Sequence, residues 1–364
     1  MTPADFFAQQ SPASALKSEI VVKYLVAWVR VVSLGTGRHV VYFDPFCGPG
    51  RYRDGSLSTP LLVIEAVSRD TNLNAKLLTV FRDADESYCK ALRENIAAFP
   101  ETRNLHHPPV VFCEEVNETL AKHFAETPLS PTFAFLDPMG FKGVTLDLVD
   151  SLIRNWGCDC LFFFNYNEVN RWLKAPGVAP HIDALFRSAR AEALRSAVLG
   201  LRSGAREKLV LDTLKEGILD GPAEYVQTFR FMNQTGSRTS HYLVFATKVF
   251  KGYEIMRDVM ARASSYSQGG VPTYVYTPKP PEASLFDSLV FEDFKDDLVG
   301  HFAGKTLTVR NAFEKHSVGK RFVLPNYKRA LLDLERAGRI EANPPADNRP
   351  KNTMGDDVAV RFPR

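Results

Sequence analysis

The chain has 364 residues, 45% of them hydrophobic and 24% charged, with 45 Lys and Arg against 42 Asp and Glu for a net charge of +3. That composition suits a globular protein with room for one large α/β domain and a smaller appendage, and the charge balance is too even to establish nucleic-acid binding by itself. No apolar run approaches the ~18 residues of a membrane span, and the N-terminal MTPADFFAQQSPAS lacks a basic stretch followed by an apolar one, so a cytoplasmic protein is expected.

Residues 16 to 33 carry apolar side chains at helical spacing and read as an opening amphipathic helix. Strand patterns follow at 39–43, 77–81, 109–113, 132–136 and 160–165, separated by helical patterns near 59–68, 86–98, 117–124 and 146–154. This alternation predicts parallel strands joined by right-handed crossovers, and apolar runs such as FAFL and LFFF suit strands covered on both faces. Residues 178–222 turn helical and charge-rich and read as a helical insertion capping the domain rather than as core. The apolar segments 226–232 and 241–247 bracket NQTGSRTS, which predicts a β-hairpin. A Pro-rich stretch at 271–284 reads as a linker between an α/β domain of residues 1–270 and a second domain of residues 285–364. The latter fits a winged helix-turn-helix, with helices near 291–302 and 307–316, a third beginning at Pro325, and a wing. Lys315, Lys320, Arg321, Lys328 and Arg329 gather around the third helix with Tyr327 among them, which suits phosphate contact. Acidic residues nearly cancel the charge of this tail, so nucleic-acid binding and docking of a protein partner both stay open.

The segment VVYFDPFCGPGRY at 40–52 is the most informative. An apolar strand ends in Asp44 and runs into a turn holding Phe46, Gly48 and Gly50, an arrangement that turns backbone N–H groups toward a nucleotide-type ligand. A dinucleotide fingerprint wants a third glycine three positions on, where Arg53 stands, so an NAD enzyme is disfavoured. The order resembles instead the cofactor loop of S-adenosylmethionine (SAM) methyltransferases. Successive strands also end in polar groups: FRDAD offers Asp83 and Asp85, VFCEEVN offers Glu114, Glu115 and Asn117, and FLDPMG offers Asp137 and Pro138. A carboxylate after the second strand suits ribose hydroxyls and is assigned to Asp83; Glu115 is assigned to the adenine amine. Any one of these acids could instead cap a helix; their serial occurrence points to a site.

FLDPMG resembles the (D/N/S)PP(Y/F) motif of amino-methylating enzymes, which gives Asp137 a positioning role toward the acceptor. Met139 and Gly140 replace the second proline and the aromatic, with Phe141 directly after. The fifth strand leads into Asn165, Tyr166, Asn167, Asn170 and Arg171, a polar cluster assigned to the substrate side. Five cysteines, Cys47, Cys89, Cys113, Cys158 and Cys160, form an odd set that reads as reduced thiols. The lone CxC at 158–160 has no second pair at ligand spacing, so no metal site is expected.

Taken together, KSEIVVKYLVAW, VVYFDPFCGPGRYRDGSLSTPLLVIEA, FRDADE, FLDPMGFKG, FFNYNEVNR and HYLVFATKVFKGYEIMRDVM resemble the three-Cys-motif partner (TcmP) family over roughly residues 15–265. The winged-helix tail is also similar to the end of such proteins. The resemblance implies a class I SAM-dependent methyltransferase-like fold and association with a three-Cys, radical-SAM-like partner. It places Asp44, Phe46, Gly48, Gly50 and Asp83 in the cofactor pocket and Asp137 at the candidate catalytic position. Arg51, Tyr52, Lys248 and Gly252 also lie in matching segments. The expected function is SAM-dependent methylation of nucleic acid, with Phe141, Asn165, Asn167, Lys328 and Arg329 toward the substrate. The other reading is a non-catalytic subunit that binds SAM or nucleic acid on behalf of the three-Cys protein.

Overall fold

The computed structural model describes residues 7–140, 143–282, 284 and 287–364. The chain divides into two units, residues 1–233 with 237–259 and residues 234–236 with 260–364.

The first unit is built on the strands β1 Val40–Asp44, β2 Leu77–Asp83, β3 Val110–Cys113, β4 Thr132–Leu136, β5 Asp159–Phe164, β6 Tyr225–Met232 and β7 Thr239–Thr247. They lie in the order β6-β7-β5-β4-β1-β2-β3. Strands β1 to β5 pair in parallel. Strand β7 runs antiparallel to both β5 and β6, so the predicted hairpin forms and inserts its second strand between β5 and β6. This is a Rossmann-like, doubly wound sheet with an antiparallel hairpin at one side. The strand order reverses between β1 and β4, and a doubly wound sheet opens its ligand crevice at such a point, beyond the carboxyl ends of the strands.

Strands of this sheet do not alternate because both faces are covered. Phe133, Phe135, Leu136, Leu161 and Phe162 are all fully buried, each stabilising the fold by about 2 to 3 kcal/mol. On one side lies helix α1 Pro12–Val32, which buries Ile20, Val21, Tyr24, Leu25 and Trp28. It starts four residues earlier than its apolar period suggests, because Ser11 accepts the Ser14 N–H at 3.0 Å and Pro12 fits the first turn. The insertion after β5 differs from a detached cap. Helices Ala179–Phe186, Ser188–Ala197 and Ser203–Leu219 send Ile182, Phe186, Leu194, Val210, Leu214 and Ile218 into the same core cluster as Phe162 and Leu136. Charges dominate their sequence because only one stripe of each is buried.

Lys248 and Gly252 belong to the end of the sheet where β5 begins. Tyr24 donates to Asp159 Oδ2 at 2.6 Å, and a Cβ on Gly252 would stand 3.2 Å from the Tyr24 hydroxyl and 3.0 Å from Thr247 Oγ1. Lys248 Nζ donates to the Arg154 carbonyl at 2.5 Å. Both residues therefore serve packing at the end opposite the crevice. Arg51 is structural as well, donating to the Gly55 carbonyl at 3.1 Å and lying 5.5 Å from the Phe99 ring centre.

The second unit holds helices Asp287–His301, Val309–His316 and Leu324–Arg336 and the short strands Thr306–Thr308, Glu341–Asn343 and Ala359–Arg361. The strand Ala359–Arg361 pairs antiparallel with each of the other two, the hairpin with Glu341–Asn343 forming the wing. Phe294, Leu298, Phe313, Leu331, Val360 and Phe362 form its buried interior. Ahead of it, Ser267–Gln268 pairs with Val271–Pro272, and Val271, Tyr274 and Thr277 are buried within the stretch that composition alone reads as a linker. Among the described residues no helix is long and apolar enough to cross a membrane.

Candidate active site

A cavity of about 310 Å³ opens beyond the carboxyl ends of β1, β2 and β4. Asp44, Phe46, Gly48, Asp83, Glu115, Asp137 and Pro138 all line it. Strand endings far apart in the sequence thus converge on one space, as expected from their serial polar termini.

Asp44 is buried, its Oδ1 accepting the Phe46 N–H at 3.2 Å and its Oδ2 facing the Tyr42 hydroxyl at 3.4 Å. Burial pushes its carboxyl well above the usual carboxylate range, and the nearby Asp137 and Asp83 push it further, against the pull of the Phe46 N–H. Asp83 ends β2 half-buried. Its Oδ2 accepts the Gly48 N–H at 2.9 Å and its Oδ1 the Asp85 N–H at 3.0 Å, while burial raises its carboxyl. The glycine turn and the second strand are therefore joined by this carboxylate. Gly48 holds a φ of 63°, and a Cβ there would come within 2.5 Å of the Phe7 ring, which lines the same cavity. Gly50, at φ 84°, stands behind the turn; a Cβ on it would meet Leu92 at 2.7 Å, so it allows helix packing rather than touching the cavity. Phe46 leans on Gly143, where a Cβ would come 2.9 Å from its ring. Burial pushes the Cys47 thiol far up, which leaves it an inert part of the turn.

Several predicted residues turn out to be caps. Asp85 accepts the N–H groups of Ser87 and Tyr88 at the start of Glu86–Ala98, although it also lines the cavity. Asn117 caps Glu118–Glu126 through the Leu120 N–H at 3.1 Å. Glu114 pairs with Arg82 at 2.7 Å. Asn165 accepts the Glu168 N–H at 3.2 Å and starts Tyr166–Trp172, while Asn167 and Arg171 are exposed along that helix. Neither Asn165 nor Asn167 lines the cavity. Phe141 lies outside the described residues.

The residue that the strand-by-strand reading passes over is Lys17. It sits near the start of α1 and forms an ion pair with Asp137 Oδ2, the two side chains being 8% and 18% exposed. Its Nζ also lies 5.1 Å from the Phe163 ring centre, and Phe163 packs on His241 at 4.5 Å. Burial, and then Lys17, push the His241 imidazole down to about 3, so the ring is neutral beside the ammonium. Among the described residues Asp137 Oδ1 takes no protein hydrogen bond. A signal was present: Lys17 falls at helical spacing with Val21, Tyr24 and Trp28, which places a charge on the buried face. Tyr52 completes this side of the cavity, and burial raises its hydroxyl.

The donor set fits a cationic nucleoside ligand. Carboxylates crowd the space, Asp44 and Asp83 are shifted toward the protonated state by burial, and a bound positive charge would relieve that cost. Among the described residues no His, Cys, Asp and Glu group has metal-binding geometry.

In the second unit four of the five predicted basic residues make contacts within the unit. Lys328 pairs with Asp356 at 2.5 Å. Arg329 donates to the Gly269 carbonyl at 2.6 Å and covers the Phe291 ring at 3.5 Å. Arg321 donates to Gln268 at 2.6 Å, and Lys320 pairs with Asp297 and reaches His316 at 2.9 Å. Tyr327 is buried, its hydroxyl 2.9 Å from His316 Nδ1, so it is core rather than a phosphate-side aromatic. Lys315 is exposed.

A GMT-like wHTH domain model matches residues 277–347. No curated protein matches the chain. Among solved structures, the O-methyltransferase from Bacillus cereus in complex with SAH is similar at 11% identity over 66% of this chain and 83% of that one, with a TM-score of 0.36. The glycopeptide N-methyltransferase MtfA complexed with sinefungin is 14% identical over 61% and 85%, with a TM-score of 0.34. A SAM-dependent methyltransferase from Agrobacterium tumefaciens is 10% identical, the match covering 62% of each chain at a TM-score of 0.34. At such identity the likeness assigns neither substrate nor activity to this chain.

Proposed function

We propose that the chain is a SAM-dependent methyltransferase acting on nucleic acid, and that it works with a three-Cys, radical-SAM-like partner as its resemblance to the TcmP family implies. The observation that carries the cofactor is the convergence of Asp44, Gly48, Asp83 and Glu115 on one cavity at the reversal of strand order. Asp83 would hold the ribose hydroxyls, Glu115 the adenine amine, and Asp44 and the Gly48 backbone the amino-acid end. The cofactor supplies an electrophilic methyl group; this chain aligns it with the acceptor in a space shielded from water, which is where most of the rate enhancement arises. The winged-helix match supports a nucleic-acid target, with the second unit presenting the substrate.

The second reading is a non-catalytic subunit. What favours it is the Lys17–Asp137 pair, which occupies one oxygen of the residue expected to hold an acceptor amine. Calorimetric titration with SAM and, separately, NAD tests the cofactor assignment. Selective SAM binding that disappears in Asp83→Ala is the expected outcome; absence of SAM binding would refute it.

A further inference from the structure

We propose that the acceptor atom is a hydroxyl oxygen, and that on nucleic acid it is a ribose hydroxyl of RNA, held between Lys17 and Asp137. This rests on the methyltransferase reading and specifies its substrate.

An acceptor amine of the (D/N/S)PP(Y/F) type needs acceptors around it: it donates its protons and keeps its lone pair for the methyl carbon. Here the Asp137 carboxylate has given Oδ2 to the Lys17 ammonium, and an ammonium has three donors and no acceptor. A nucleophile entering beside this pair meets one donor, Lys17 Nζ, and one acceptor, Asp137 Oδ1. A hydroxyl satisfies both at once and still has a second lone pair for attack; an amine that accepted from Lys17 would spend the lone pair it needs. Both side chains line the cavity and are largely withdrawn from water, so neither is a solvated surface charge. Aromatic Phe163 and the neutral His241 ring behind Lys17 offer it no competing carboxylate. RNA differs from DNA by a group that is both donor and acceptor, which is what this pair accommodates.

The step balances without a further reactant. The O–CH3 bond forms as the S–CH3 bond breaks, the bonding pair remains on sulfur, and the hydroxyl proton passes to Asp137 Oδ1. Lys17 stays charged and stabilises the negative charge that develops on the oxygen as that proton leaves.

The test uses the full chain with methyl-labelled SAM and two probes, total RNA and genomic DNA, each digested to nucleosides after reaction. Calorimetry with SAM is run first on the wild type, Lys17→Met, Lys17→Arg and Asp137→Asn. Expected are label in ribose-methylated nucleosides from RNA, SAM affinity that changes far less than transfer in every variant, and transfer reduced roughly 10²- to 10⁴-fold in Asp137→Asn and Lys17→Met, with Lys17→Arg retaining more because it still donates. A second readout needs no turnover: the protein should bind a single-stranded RNA oligonucleotide roughly tenfold more tightly than the same DNA sequence, and Lys17→Met should erase that difference. Label on a base, or in DNA, overturns the hydroxyl assignment while leaving the enzyme reading intact. SAM binding with no transfer to either probe overturns both in favour of the non-catalytic subunit. No SAM binding refutes the cofactor assignment itself.

Discussion

The cavity of the first unit and the basic helix of the second treat charge in opposite ways. At the carboxyl ends of the strands, carboxylates are buried together at a cost: Asp44 lies in the field of Asp137 and Asp83, and Asp137 keeps an oxygen without a protein partner among the described residues. Around the helix Leu324–Arg336, each of Lys320, Arg321, Lys328 and Arg329 is matched to a carboxylate, an amide or a carbonyl of its own unit. Charges left in mutual conflict mark a place prepared for something that is not protein; charges neutralised at home mark a place that is finished.

The largest effect in binding should come from Asp83. Replacing it with Ala removes the carboxylate assigned to the ribose hydroxyls and the acceptor of the Gly48 N–H, and two charge-assisted hydrogen bonds predict a loss of SAM affinity on the order of 100-fold. Asn117→Ala is the control that sharpens the contrast. It deletes a helix cap outside the cavity, so it should lower stability by about 1 kcal/mol in urea denaturation while leaving SAM affinity unchanged. If the two variants lost SAM binding equally, the cavity carboxylate would be no more than another cap.

A smaller effect should appear on varying pH. Burial raises both Asp44 and Asp83, so each holds a proton in the folded state over a range where the unfolded chain has already released it. Folded-state stability from these groups is therefore fully present below the ordinary carboxylate range near 4 and declines as pH rises through their raised values. A cationic ligand reverses the preference: affinity for SAM should increase as pH rises through the same window, and binding should release protons. Titrations in two buffers of different ionisation enthalpy measure that release. Affinity independent of pH, with no proton release, would place the sulfonium away from these carboxylates.

The parallel sheet, the hairpin and most of the cavity were legible in the sequence because each depends on local pattern. Asp44 and Asp83 close apolar runs, and a strand end in a doubly wound sheet has a known destination. What stayed hidden required partners distant along the chain. Lys17 meets Asp137 across 120 positions, and nothing near either residue names the other. Asn165 stands at both a strand end and a helix start, so the sequence does not show that its Oδ1 accepts the Glu168 N–H of that helix. Tyr327 stood among lysines and arginines in the sequence, yet at helical spacing it also faces Leu331 and Leu334, and the apolar side prevailed.

The smallest effect is expected where the basic residues are densest. Lys328→Ala would break an ion pair and Arg329→Ala a hydrogen bond to the Gly269 carbonyl within the second unit, and a partly exposed ion pair contributes at most about 1 kcal/mol. If nucleic acid does not use these side chains, both variants should bind an RNA oligonucleotide within about twofold of the wild type, and the slope of log affinity against log salt should stay the same. A lysine that neutralises a phosphate would instead lower that slope by roughly 1 when removed. The comparison is strict because Lys328 already has Asp356 as its counter-ion: to contact phosphate it must first give that carboxylate up, leaving Asp356 to repel the same backbone. A reduced slope in Lys328→Ala would mean that this exchange occurs and that the second unit opens its own ion pairs to hold the substrate. An unchanged slope would mean that the second unit presents the substrate through groups other than Lys328 and Arg329, which stay in their contacts within the unit.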